Sequence, residues 1–169
     1  MRHPTRLATL VTILATLCPG MVTADDHELV EFRTLAPDTA VAIAEGALAA
    51  CRDKGFQVAV AVVDRMGIPQ AMIRDRYAGA HTPDTATRKA WTAVSFREDT
   101  LSLSDNTGGN SPQGGARQIT GALMLGGGVP VEVAGSMVGG VGISGAPTGA
   151  DDHACAVAGI ETVLIDLEF

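Results

Sequence analysis

"GGGVPVEVAGSMVGGVGIS", residues 126–144, is the stretch that decides the fold. Its branched apolar residues fall in two short runs, 129–134 and 136–144, which meet at an Ala134–Gly135 turn. The pattern predicts two antiparallel strands and not a flexible linker, while the glycines and Glu132 argue against a membrane span. A glycine inside a strand projects no side chain, so a helix, another subunit or a flat ligand must come close there.

Three more strands are predicted around this pair. "QVAVAVVD" at 57–64 is apolar on both faces, which is typical of a central strand covered on two sides. "DRMG" at 64–67 predicts a turn, and "IPQAMIR" at 68–74 a returning strand. "ALML" at 122–125 predicts a further short strand, which brings the expected sheet to about five strands.

Helices are predicted on both sides of these strands. Pro37 suits a first helical turn, and Thr82-Pro83-Asp84 combines a capping hydroxyl, a proline and an acid. Ser95 with Glu98 resembles a capping box and predicts a short helix to about residue 103, and the last helix begins after Thr148. Because short turns join neighbouring strands, the predicted fold class is α+β: a sandwich with a central antiparallel sheet and helices packed on it.

The first 24 residues have the features of a secretory signal peptide. Arg2 and Arg6 precede a short apolar run, and small or branched residues end the segment at Ala24. We therefore predict a signal peptide at 1–24, one domain at 25–169 and a periplasmic or extracellular location. Without the two arginines, 10 basic residues face 19 acidic ones, a net charge of −9 that argues against a nucleic-acid partner.

Two cysteines, Cys51 and Cys155, remain after this processing. Both fall in predicted helices. An even number of cysteines in an oxidising compartment is compatible with a disulfide if the helices are neighbours, and two buried free thiols are the alternative.

A basic segment, "RDRYAGAHTPDTATRK" at 74–89, stands out in this acidic chain. It holds four basic residues, the single tyrosine Tyr77, and His81 directly before a predicted helix start. Such a histidine could ligate a metal or haem iron or act as a base, and the arginines could pair with carboxylates. A solvated loop with a surface histidine explains the same residues.

Three motifs in order resemble the GlcG/HbpS-like family, which includes the C-terminal domain of PduO-type corrinoid adenosyltransferases. They are "AGAHTPDTATRKAWTA" at 78–93, "GGGVPVEV" at 126–133 and "VGGVGISGAPTGADDHACAVAGI" at 138–160. The resemblance spans about residues 35 to 161. It implies a profilin-like sandwich, homo-oligomers that are often octamers, haem as cofactor, and in some members haem degradation and iron binding.

The resemblance also indicates a set of site residues. His81 is the expected axial ligand of the iron, and Tyr77, close to it in sequence, is a further candidate to bind the cofactor. Arg74, Arg76 and Arg88 are candidates to pair with the haem propionates. Gly126, Gly127 and Gly128 are expected to let a porphyrin or a neighbouring subunit approach closely.

Two other functions are compatible with the same residues. The chain could be an accessory module that binds a corrinoid or a small organic acid without haem chemistry. It could also be an enzyme that acts on a small organic acid with His81 as the base. An absorbance titration with haemin separates the haem hypothesis from both.

Overall fold

The computed structural model describes residues 29–167, so the predicted signal peptide at 1–24 lies outside the described residues. This range contains four α-helices, four strands and one 3₁₀ turn. In chain order they are α1 (Pro37–Asp53), β1 (Ala59–Asp64), β2 (Pro69–Arg74), α2 (Thr82–Phe96), α3 (Thr100–Asn106), a 3₁₀ turn (Gly114–Gln118), β3 (Gly128–Val133), β4 (Ser136–Ser144) and α4 (Gly149–Leu167). None of the described helices is long and apolar enough to cross a membrane.

The described strands form one antiparallel sheet in the order β2-β1-β4-β3. The α+β fold class is confirmed, with four described strands where the sequence predicts about five. The predicted strand at 122–125 is wrong. The backbone of this segment forms hydrogen bonds within its own loop and with side chains, not with a strand. Ala122 N donates to Ile119 O and Leu123 N donates to Thr92 Oγ1. Leu125 O accepts a hydrogen bond from Thr100 Oγ1. These contacts hold the segment over helix α2 and α3, where Ala122 packs in a small apolar cluster.

One face of the sheet carries the main hydrophobic core, which α1 and α4 cover. Val60 and Val62 of β1 and Val141 and Ile143 of β4 all project into this core and are buried. The two helices pack on each other, and a disulfide joins Cys51 of α1 to Cys155 of α4 with their Cα atoms 5.4 Å apart. Of the two alternatives for these cysteines, the structure has the bridge.

The other face is lined by small residues and is covered by α2. Ala59 and Ala61 of β1 pack with Ala86 of α2. A Cβ atom added to Gly142 would lie 1.9 Å from the Ala86 carbonyl oxygen, and one added to Gly140 would lie 2.6 Å from Val94. Of the three surfaces that could approach the strand glycines, the one that does so at Gly140 and Gly142 is a helix of the same chain.

The boundary between α2 and α3 differs from the prediction. Helix α2 continues through Ser95 to Phe96, so the predicted capping box at Ser95 is wrong. Asp99 is the N-cap of α3, because its Oδ1 accepts hydrogen bonds from Leu101 N at 3.0 Å and Ser102 N at 2.9 Å. An aspartate whose side chain satisfies two free amides at a helix start is a stronger cap than a serine inside a continuous helix.

Candidate ligand-binding cleft

A cleft of about 750 Å³ opens where the start of β1, the end of β4 and the N-termini of α2 and α4 meet. Its size falls in the range of small-molecule sites, roughly 300–1,000 Å³. Four segments and three further side chains form its lining. The segments are residues 55–57, parts of 77–85, parts of 123–125 and residues 144–149, and the side chains are Arg88 and Lys89 of α2 and Asp152 of α4.

His81 and Tyr77, both predicted from the sequence, line this cleft. Tyr77 is 79% exposed. His81 directly precedes α2 and is exposed; its backbone carbonyl accepts a hydrogen bond from Thr85 N, as at the start of a helix. Among the described residues, neither ring makes a side-chain hydrogen bond to the protein. Both polar rings are therefore available to a bound molecule.

Arg88 also lines the cleft, and part of its guanidinium is already used. Nε lies 3.4 Å from Gly121 O and Nη2 lies 3.1 Å from Ala122 O. These bonds attach the 121–122 loop to α2. A guanidinium has five N–H donors, so Arg88 keeps donors for a carboxylate in the cleft.

Arg74 and Arg76 lie outside the lining. Arg74 Nη1 donates to Ala78 O and so shapes the loop that carries Tyr77. The guanidinium of Arg76 lies 5.8 Å from the centre of the Tyr77 ring, a cation–π distance at the edge of the cleft. The structure thus brings His81, Tyr77 and Arg88 together and leaves these two arginines in supporting positions.

Gly126, Gly127 and Gly128 do not line the cleft either. A Cβ on Gly128 would lie 2.3 Å from Lys89 O, and one on Gly126 would lie 2.8 Å from Gly149 O. A Cβ on Gly127 would lie 2.7 Å from the Asp152 Cβ. The space that these glycines leave is filled by α2 and α4 of the same chain, so their contacts favour a packing role over contact with a porphyrin.

A buried ion pair that the sequence reading missed lies among the lining residues. Lys89 Nζ donates to Asp152 Oδ2 at 2.7 Å and to Ile143 O at 2.8 Å, and the two side chains are 1% and 4% exposed. Burial lowers the pKa of Lys89 and raises the pKa of Asp152, and the partner's opposite charge counteracts each shift. Asp152, which is in the first turn of α4, thus has a specific partner beyond the helix dipole.

The spacing of apolar residues along α2 and α4 could have predicted this ion pair. Lys89 falls on the buried stripe of α2, three residues after Ala86, and Asp152 falls on the buried stripe of α4, three residues before Cys155. Opposite charges on the apolar stripes of two helices predict a buried pair, because an unpaired buried charge is costly.

Two further polar side chains line the cleft and were not predicted. Gln57 and Ser144 make no side-chain hydrogen bond among the described residues. Ser144 pairs with Ala59 across the sheet. The side chains of Ser144 and Ala59 therefore project from the face that α2 covers, close to the start of that helix. Within residues 29–167, no group of three or more His, Cys, Asp and Glu residues is arranged to hold a metal ion.

The sequence matches the family model described as "Haem degrading protein HbpS-like" over residues 35–161. The chain belongs to this family. Two solved structures of HbpS, one of them a double mutant of the Streptomyces reticuli protein, are 36% identical to this HbpS-like chain. For the mutant, the match covers 86% of this chain and 98% of that one, with a TM-score of 0.77.

Two more distant structures share the fold. The haem complex of PduOC is 26% identical, with a TM-score of 0.71 over 76% of this chain and 94% of that one. The Klebsiella pneumoniae protein ORFY is 23% identical, with a TM-score of 0.76 over 79% and 93%. No curated protein matches the sequence. The HbpS-like membership inferred from the three motifs is confirmed, and haem binding is supported at the level of the family.

Proposed function

We propose that this HbpS-like chain binds haem in the cleft, with His81 as the axial ligand. The observation that carries the proposal is the exposed imidazole, without a protein partner among the described residues, on the lining of a ligand-sized cleft. Membership of a family described as haem degrading supports haem as the ligand, and so does the haem complex of the related PduOC.

The lining residues fit such a ligand. When bound, haem supplies an iron that takes an axial ligand, and a neutral imidazole is a common one. Phe56, Leu123 and Leu125 offer apolar surface to a macrocycle. Arg88 is the lining residue whose remaining donors suit a propionate. Arg74 and Arg76 remain predicted partners of the second propionate from positions at the edge.

An absorbance titration of the protein with haemin tests the proposal. We expect a Soret band that saturates at one haem per chain, and His81→Ala should weaken the affinity by about tenfold or more and change the spectrum, because the iron loses its nitrogen ligand. His153→Ala is the matched control, since His153 is on α4 and does not line the cleft. Equal spectra and affinities for both variants would exclude His81 as the ligand.

The same titration distinguishes the alternatives. A corrinoid or small-acid module would bind its ligand and not haemin, and an enzyme with His81 as base would lose turnover in His81→Ala without iron. Haem degradation, the activity in the family description, is our second proposal for the cleft. It is tested by loss of the Soret band and release of chelatable iron when the haem-loaded protein is incubated with a reductant in air, because opening the porphyrin ring consumes dioxygen as well as electrons.

We also propose that the chain acts in the periplasm or outside the cell. The Cys51–Cys155 bridge supports this, because disulfides persist in oxidising compartments. A homo-oligomer, such as an octamer, is proposed from the family resemblance. The exposed side chains of Met66, Ile68 and Met72, on and beside edge strand β2, are compatible with a subunit contact. Light scattering on the purified protein gives the subunit number.

A further inference from the structure

The segment 144–149 forms one wall of the cleft, and its two ends are held by the β4 ladder at Ser144 and by the Thr148 cap of α4. It leaves the sheet at Ser144, and all six of its residues contribute to the lining. Between the end of β4 and the start of α4 no sheet ladder holds it. The amide of Ala146 donates instead to Asp152 Oδ1 at 3.0 Å, so a side chain fixes the middle of the wall.

Lys89 in turn fixes Asp152. Its ammonium bonds the second carboxylate oxygen of Asp152 and the carbonyl of Ile143, the residue just before the wall. A continuous chain of hydrogen bonds therefore runs from α2, which also carries Arg88, through Lys89 and Asp152 to the amide of Ala146. This chain connects the two sides of the cleft.

Stability alone is a weak explanation for such a pair. Replacing a buried ion pair with apolar residues of similar volume is often neutral or stabilising, because both charges must be desolvated. The pair also comes with a constraint on its surroundings: a Cβ on Gly127 would lie only 3.0 Å from Lys89 Nζ. We propose that Lys89 and Asp152 are positioning residues, which hold the 144–149 wall at the distance from α2 that the ligand requires.

Two matched double variants separate positioning from folding. Lys89→Met/Asp152→Asn removes both charges and keeps a side-chain oxygen that can accept from Ala146 N. Lys89→Met/Asp152→Leu removes the charges and that acceptor at similar volume. Val62→Ala is the control for general loss of stability, because Val62 is buried on the opposite face of the sheet.

We expect the Leu variant to melt a few degrees below the Asn variant, because the Ala146 amide loses its acceptor, and Val62→Ala shows whether a loss of stability alone affects binding. The Leu variant should bind haemin about tenfold more weakly than the Asn variant, the loss expected for one buried hydrogen bond that orders the wall. The amide of Ala146 should exchange with deuterium much faster in the Leu variant only. Val62→Ala should lower the melting temperature and leave the haemin affinity unchanged.

The inference concerns the proposed haem cleft, but the exchange measurement does not need haem. If wild-type protein fails to bind haemin, the proposed function is wrong, while selective loss of Ala146 protection in the Leu variant still supports a positioning role. Equal Ala146 exchange and equal haemin affinity in the two double variants would show that the pair serves only the fold.

Discussion

Reducing the disulfide between α1 and α4 is the perturbation whose size follows most directly from the structure. Cys51 and Cys155 are 104 residues apart in sequence, and both are fully buried between the helices that cover the main core. The bond therefore closes a loop that contains the whole sheet and α2. Breaking it leaves the native contacts in place and releases this loop in the unfolded chain.

The expected cost follows from the length of that loop. In the chain-entropy treatment, a loop of 104 residues gives about 4.7 kcal/mol at 25 °C. This is a large part of the roughly 5–15 kcal/mol by which domains are usually stable. With a urea slope of about 2 kcal/mol per M, the unfolding midpoint should fall by about 2 M on reduction.

Urea titration followed by fluorescence of the single tryptophan, Trp91, measures this shift with and without a phosphine reductant. Cys51→Ala/Cys155→Ala is the control and should show no response to the reductant. Thiol counting in unreduced, denatured protein should find only Cys18, and no thiol when residues 1–24 are removed. Two additional reactive thiols, or a midpoint that the reductant leaves unchanged, would refute the reasoning.

Two further substitutions test the packing and the capping. Gly142→Ala should destabilise by about 3 kcal/mol or more, since its Cβ would meet backbone atoms of α2, whereas Gly115→Ala, with open space around it, should change the midpoint little. Asp99→Ala should cost about 1 kcal/mol at neutral pH. Burial would raise the pKa of Asp99, but hydrogen bonds from Ser102 and the charge of His153 outweigh it and the pKa is lowered. The carboxylate's contribution is therefore present above its ordinary pKa and is lost as the pH falls through the lowered one, where the wild-type and Asp99→Ala midpoints should converge.

Elements with a strong local pattern could be predicted from the sequence. The run at 57–64 is apolar on both faces because helices cover both sides of β1. Helix α1 begins at Pro37 and α4 begins directly after Thr148, as predicted. The α+β class followed from short turns between strands. The Ala134–Gly135 turn is confirmed by positive φ angles of 50° and 74° at these two residues.

Features that depend on tertiary contacts could not be predicted in the same way. The 122–125 segment has a strand-like composition, and only its contacts with Thr92 and Thr100 show why it stays out of the sheet. From the sequence, Asp99 is one of several candidate N-caps of α3, and only the observed end of α2 selects it. The set of residues that line the cleft could not be predicted either, because Gln57 and Ser144 are distant from His81 in sequence and come close to it only in the folded chain.

The glycine-rich stretch influences the site mainly through the position of α2. Its glycines, with Ala59 and Ala61, let the helix backbone lie directly on the sheet, and Gly142 fixes this contact beneath Ala86, about one turn into the helix. Only the first turn of α2 extends past that contact, so Ser144 at the end of β4 and Gln57 just before β1 line the cleft beside His81. A larger side chain at position 142 would lift α2 and change the spacing that Lys89 and Asp152 maintain. For this reason Gly142→Ala, although it lies outside the cleft lining, should weaken haemin binding as well as stability, whereas Val62→Ala should weaken stability alone.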